Sequence, residues 1–167
     1  MNKLANVKSG EIFAIPLFLT EYKDNVSFSR EKFEEPDKQF VFCRIIEDLG
    51  GGGILIEIFN KVGNLSTQIH DIIIAQRLIS PITISGVGIY KKRWRKIGTQ
   101  CNYDKFSHSL YSEITLIAGA GDNLSLWKGG NYIGQISEEE VQKHELWIIW
   151  RSSQVEIRIS KLLHQTV

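Results

Sequence analysis

Cysteine is scarce in this sequence: Cys43 and Cys101 are the only two, far apart and in no CxxC or Cys/His spacing. Neither a disulfide framework nor a zinc site is expected from such a pair, and a reducing, cytoplasmic setting is the default. An excess of one charge is also missing, since 20 Lys and Arg face 19 Asp and Glu. So balanced a chain creates no global field to draw in nucleic acid or an anionic membrane, and any electrostatic recognition has to be local. No apolar run approaches the roughly 20 residues of a membrane helix. Residues 1–10 carry Lys3 and Lys8 without the apolar centre of a signal peptide, so neither export nor membrane insertion is expected. Internal repeats, low-complexity tracts and linkers are absent too.

What is present suits one folded unit. Hydrophobic residues make up 43% and charged residues 23% of 167 positions, a composition far from that of disordered chains. A globule of this length buries roughly 70% of the surface its unfolded form exposes. A single domain over residues 1–167 is the expectation.

Glu11 to Leu17 alternates Phe13, Ile15 and Leu17 with Ile12, Ala14 and Pro16, a strand pattern in which Pro16 points to an edge or a bulge. From Phe18 to Lys38 the periodicity fades and charge rises. Glu21, Asp24, Glu31, Glu34, Glu35 and Asp37 stand against Lys23, Arg30, Lys32 and Lys38, which reads as a long, mildly acidic loop. Gln39 to Glu47 and Ile54 to Phe59 are rich in β-branched and aromatic residues and are joined through Asp48, Leu49 and Gly50 to Gly53, a hairpin pattern. With Asp48 opposite Gly53, Arg44 falls opposite Glu57 on one face, a cross-strand pair worth about 0.2–1 kcal/mol.

Residues 64–74 leave two readings open: Leu65, Ile69, Ile72 and Ile73 fit a helical stripe, while Asp71 to Ile79 also fits a buried strand. Pro81 interrupts the chain, and Ile82 to Ile84 resumes as a short strand. Glu113 to Ala118 and Leu124 to Trp127 flank the Gly119 to Asn123 turn as a second hairpin, and Gly129 to Asn131 marks a further turn. Ser137 with Glu140 forms a capping box ahead of a short helix from Glu138. Trp147 to Trp150 is apolar enough to predict burial. From Ser153 the spacing of Val155, Ile159, Leu162 and Leu163 predicts a terminal amphipathic helix with Glu156 closing a second capping box, a strand over Val155 to Ile159 being the alternative. The sum is an α+β fold, strand-rich, with a mainly antiparallel twisted sheet or partial barrel and a few short helices including a C-terminal one.

Catalytic patterns are thin. Gly50 to Gly53 is followed by a strand and no GK[ST], so a turn is the better reading than a phosphate loop. Cys101, Asp104 and His108 are the most enzyme-like cluster, a thiol, an acid and an imidazole, yet no hydrolase signature surrounds them. His70, His144 and His164 lack a second ligand at metal spacing, and no cofactor is expected. The sharpest surface feature is Lys91, Lys92, Arg93, Arg95 and Lys96 with Tyr90 and Trp94 interleaved. Such a cluster serves as a solvated turn with its Trp packed inward, as a dock for an acidic partner, or as a grip on RNA.

Three stretches carry a family resemblance: Gly10-Glu11-Ile12-Phe13-Ala14-Ile15-Pro16-Leu17, then FVFCRIIEDLGGGGILIEIF at Phe40 to Phe59, then Arg93-Trp94-Arg95-Lys96-Ile97-Gly98. Over roughly Val7 to Gly98 the sequence resembles the immunity protein 26 family of bacterial polymorphic toxin systems. The resemblance implies a cytoplasmic protein that binds and blocks a cognate toxin domain, with no catalytic residue and no cofactor. Tight inhibitors concentrate their binding energy in aromatic and Arg anchors. Tyr90, Arg93, Trp94 and Arg95 are candidates on a basic side, and Glu31, Phe33, Glu34, Glu35 and Asp37 on an acidic side suited to a basic toxin. The choice between the two sides stays open. An RNA-binding or other interaction module using Tyr90 to Lys96 is the alternative, and a small hydrolase around Cys101 comes third.

Overall fold

The computed structural model describes residues 5–20 and 22–165; Lys3 and Glu21, counted above, lie outside them. Five strands of the first hundred residues, β1 (Glu11–Pro16), β2 (Phe40–Asp48), β3 (Ile54–Gly63), β4 (Ile82–Ile84) and β5 (Arg95–Thr99), are joined by a late one, β10 (Ile149–Trp150), in a six-stranded sheet of order β10-β4-β3-β2-β1-β5. Only the β10–β4 contact in it is parallel. A second sheet has the order β8-β7-β6-β9, from β6 (Thr115–Ala120), β7 (Asn123–Lys128), β8 (Asn131–Gln135) and β9 (Glu145–Leu146), the last pairing parallel to β6. The expected α+β architecture is therefore realised as two sheets. Four one-turn helices, α1 (Ile69–Ile73), α2 (Val87–Tyr90), α3 (Lys105–His108) and α4 (Glu138–Val141), accompany a longer terminal helix, α5 (Ser152–Gln165).

Both faces of the large sheet are covered, and the period-two alternation assigns each side chain to one of them. Phe13, Ile15, Val41, Cys43, Ile45, Ile56 and Ile58 point to one side, where Trp94, Val155 and Ile159 close over them. Ile12, Ala14, Phe40, Phe42 and Phe59 point to the other, under Phe28, Phe33 and Ile72. Cys43 sits wholly inside, and burial pushes its thiol pKa far up. Pro16 marks neither the edge nor the bulge expected of it: β1 lies between β2 and β5, Pro16 keeps its register opposite Phe40, and it is tolerated because β5 pairs only with Glu11 to Ala14, so no ladder bond is lost there; the bulge in β1 falls at Ile12/Phe13 instead.

The hairpin forms as expected through its middle, with Arg44 opposite Glu57 and Ile45 opposite Ile56. Its turn end differs, because a bulge between Ile45 and Glu47 shifts Asp48 from Gly53 to Ile54. The Arg44–Glu57 pair is also no surface ladder pair. Both side chains are 3% exposed, and Glu57 Oε2 accepts from Arg44 Nε at 3.1 Å and Nη2 at 2.9 Å while Oε1 accepts from Arg77 Nε at 3.0 Å. Arg44 further donates to the His108 carbonyl and Ser109 Oγ, tying the 100–109 segment to the sheet. Breaking such a buried pair costs about 3–5 kcal/mol, well above the cross-strand figure.

Of the two readings of residues 64–79 the helix forms, as α1 burying Ile72, whereas the buried strand over Asp71 to Ile79 does not: Ile74 is 67% exposed, and the chain meets β3 only through an isolated bridge at Arg77 and the bond from Leu78 N to the Ile58 carbonyl. Ser137 starts α4 without a side-chain cap bond, so the predicted capping box is not made, although Glu138, Glu139 and Glu140 do occupy the first turn. The expectation of burial for Trp147 to Trp150 holds for neither isoleucine. Ile148 and Ile149 are about half exposed, since this stretch links an edge of one sheet to an edge of the other and keeps one side open.

Candidate partner-binding face

The basic cluster begins where α2 must pack against the start of α5. A Cβ on Gly88 would run into Ser152, so glycine lets the two helices meet. The Gly88 carbonyl then accepts from both Arg93 N (2.9 Å) and Trp94 N (3.2 Å), with Lys92 in the left-handed region at φ 62°. This tight turn aims Arg93 and Trp94 inward, and each is 1% exposed. Both meet one carboxylate: Glu156 Oε1 accepts from Arg93 Nε (2.8 Å) and Trp94 Nε1 (3.0 Å), and Glu156 Oε2 from Arg93 Nη2 (2.6 Å). Burial raises the Glu156 pKa, with Arg93 opposing that rise. Glu156 is therefore an internal counter-ion, and the predicted second capping box is built differently. Asp24 accepts from Ser153 N (3.0 Å) and Ser153 Oγ (2.8 Å), and Gln154 Oε1 accepts from Arg151 N (3.0 Å).

The β1–β2 connection lies on this same turn. Phe28 N donates to the Lys91 carbonyl at 2.8 Å, and the Arg93 guanidinium stands 5.2 Å from the Phe28 ring. Arg95 reaches outward along the loop: its Nη2 donates to the carbonyls of Phe28 and Glu31, both at 2.7 Å, and its guanidinium sits 4.1 Å from the centre of the Phe33 ring. Phe18 meets Phe33 and Phe40 edge-on. An irregular loop is thus held by aromatic anchors and by one arginine that satisfies its carbonyls.

The two sides that the sequence left as alternatives are consequently one continuous face. Three of the expected anchors lie inside it: Phe33 is 2% exposed, and Arg93 and Trp94 are buried as stated. All three shape the surface from below: the positive-φ turn and the Glu156 carboxylate turn Arg93 and Trp94 to the core, and Phe33 lies under Arg95 and against Phe18. Arg95 is half-buried. Tyr90, Glu31, Glu34, Glu35 and Asp37 are exposed, with Lys38 pairing Glu35 at 3.1 Å and Lys96 pairing Glu11 at 2.9 Å. A basic–aromatic strip for RNA is correspondingly diminished, since Arg93, Trp94 and most donors of Arg95 face protein. Asp24 and Glu156 escaped sequence reasoning: their partners lie 129 and 63 residues away, and no local spacing carries that information.

The Cys101, Asp104, His108 cluster is arranged for capping. Asp104 Oδ2 accepts from Ser107 N (3.1 Å) and Ser107 Oγ (2.8 Å), and these bonds hold its carboxyl below the usual range. His108 Nδ1 accepts from Asp104 N at 2.9 Å, and its ring stacks on Tyr103. Cys101 is exposed and free. Among the described residues no three His, Cys, Asp or Glu side chains gather as a metal site, and no helix is long and apolar enough to cross a membrane.

No curated protein and no solved structure matches the chain. A family model described as Immunity protein 26 matches residues 8–124, which spans β1 to the beginning of β7 and includes the whole loop, Arg93, Trp94 and Arg95. With more than two thirds of its length matched, from the opening strand through the pinned loop and its basic turn, the chain belongs to the Immunity protein 26 family.

Proposed function

We propose that this protein neutralises a cognate toxin by binding it directly, and that the face made by the β1–β2 loop and the α2–β5 turn makes the contact. The observation that carries this reading is the pinned loop. Its backbone is held by Arg95, Phe28 and Phe33, while Glu31, Glu34, Glu35 and Asp37 stay exposed above it. A surface ordered in advance loses little entropy on binding. Four carboxylates on it suit a basic toxin surface, to which they would steer association. Direct blocking requires no reactive centre in the inhibitor, only a stable scaffold. The chain acts as one unit in this reading, because β10 completes the large sheet and α5 supplies the counter-ion of Arg93. Free Cys43 and the exposed thiol of Cys101 fit a reducing cytoplasm.

Co-expression with the toxin domain encoded immediately upstream tests the idea, with growth and co-purification as readouts. Rescue accompanied by a stable complex is expected. Rescue by a variant that no longer binds would sink direct blocking.

A further inference from the structure

A cavity of about 180 Å³ opens between the far end of β2 and the four-stranded sheet, walled by Tyr111, Trp127 and Trp147 with Leu49, Leu55 and Leu116 behind them. Two of its aromatic walls stand where glycine makes room. A Cβ on Gly130 would lie 2.6 Å from the Tyr111 hydroxyl, and one on Gly52 would lie 3.0 Å from Trp147 Cζ2. Trp147 is fixed in turn by its Nε1, which donates to the Gly52 carbonyl at 2.9 Å, and its ring meets Trp127 edge-on at 5.7 Å.

The charges bordering the cavity are matched within the chain. Glu47 accepts from Lys105 Nζ at 3.1 Å, and Lys105 also lies 4.0 Å from the centre of the Tyr111 ring. Burial and the hydrogen bond to Glu47 push the Tyr111 pKa up to about 12, so the phenol is neutral. Lys128, next to Trp127 in the chain, pairs Glu113 at 3.1 Å. A charged guest would lose its hydration here and gain no counter-ion. What the walls do offer is room and aromatic surface. An apolar cavity of about 150 Å³ binds benzene, and ring pairs gain affinity beyond the area they bury. The guest that fits is one uncharged aromatic ring.

More apolar surface surrounds the cavity than one ring can cover. Phe106, edge-on to Tyr111, and Tyr132, edge-on to Trp127, are each more than half exposed, as is Leu110 beside Tyr111 in the chain. Leu110 holds a left-handed backbone at φ 49°, which leucine rarely adopts. Apolar surface gathered in this way marks contact with another protein. We propose that the cavity receives a phenylalanine side chain of a partner protein, its ring against Tyr111, Trp127 and Trp147, and the partner's flanking apolar residues on Phe106, Leu110 and Tyr132. Trp127, Tyr132 and Trp147 lie beyond residue 124, where the family match ends, so family membership does not account for them. The site is also separate from the loop face, as Phe40 and Glu47 lie near opposite ends of β2, so either assignment can fail alone.

The test is a titration of the whole ¹⁵N-labelled chain with a capped Ser-Val-Phe-Val-Ser peptide, read from the indole N–H signals of Trp127 and Trp147. Saturable shifts of both are expected. The peptide with Leu in place of Phe should bind about twofold to tenfold more weakly, because it forfeits the ring pairing. Toluene should reach the cavity and bind more weakly than the Phe peptide. Replacing the rim, Phe106→Ser with Leu110→Ser, should weaken the Phe peptide at least threefold and leave toluene unchanged. Leu116→Phe, which fills the cavity, should abolish the shifts with both probes; Leu49→Phe fills it from another wall if the first variant does not fold. Indoles that do not shift in a folded chain, or equal affinity for the Phe and Leu peptides, would overturn the proposal. So would toluene binding as tightly as the Phe peptide, or a rim variant that holds the peptide as the unaltered chain does, since the site would then serve a free small molecule.

Discussion

Two carboxylates hold arginines inside this molecule, and they do different jobs. Glu57 lies within the sheet and binds Arg44 from the adjacent strand and Arg77 from the segment beside it, so it seals one face of the hairpin and anchors the 100–109 segment through Arg44. Glu156 lies on the terminal helix and binds two consecutive residues of a turn, so it fastens α5 to the sheet and sets the shape of the ground on which the loop rests. The first center stabilises pairing that the backbone already makes. The second supplies an attachment that hydrogen-bonded strands do not provide.

The contrast can be broken experimentally. Glu57→Ala should have the largest effect, about 3–5 kcal/mol in chemical denaturation, because two guanidiniums then face one another without an anion. Glu156→Ala should cost about 3 kcal/mol and, unlike Glu57→Ala, should strip hydrogen-exchange protection from α5 before the sheet. If both variants lose protection uniformly, the division of labour is wrong. Replacing the second pair together, Arg93→Met with Glu156→Leu, should recover at least half of that loss, since an apolar pair of similar bulk needs no counter-ion. A smaller change, about 1 kcal/mol, is expected for Asp24→Ala, which removes the cap on α5. Smallest per residue, reversing Glu31, Glu34, Glu35 and Asp37 to Lys should move stability by only about 0.5 kcal/mol for each substitution. The same variant should slow toxin association most at low salt, as stopped-flow measurements at two ionic strengths would show.

How much of this was legible in the sequence follows from distance along the chain. Arg44 and Glu57 were readable because a hairpin converts spacing into opposition, and the bulge that displaced the turn lies beyond Arg44 and left the pair in place. Glu156 sits three residues after Ser153, a spacing that mimics a helix cap, and its true partners leave no local trace. The loop was recognisable as a loop, but Phe18, Phe28 and Phe33 in its charged sequence were its signal of anchorage, and aromatic residues without periodicity give no register to read. The same limit applied to Trp94, whose burial depends on a turn with positive φ at Lys92.

The matched family stretch contains Arg93 and ends before the helix that carries Glu156. A fragment trimmed to that stretch would keep a cation in its interior and lose its anion, along with the cover over one side of the sheet. Tails therefore cannot be exchanged freely: a chimera that keeps Arg93 but whose incoming segment brings no acid to the same turn should be less stable by about 3 kcal/mol, which gives protein engineers a one-residue criterion for choosing donors.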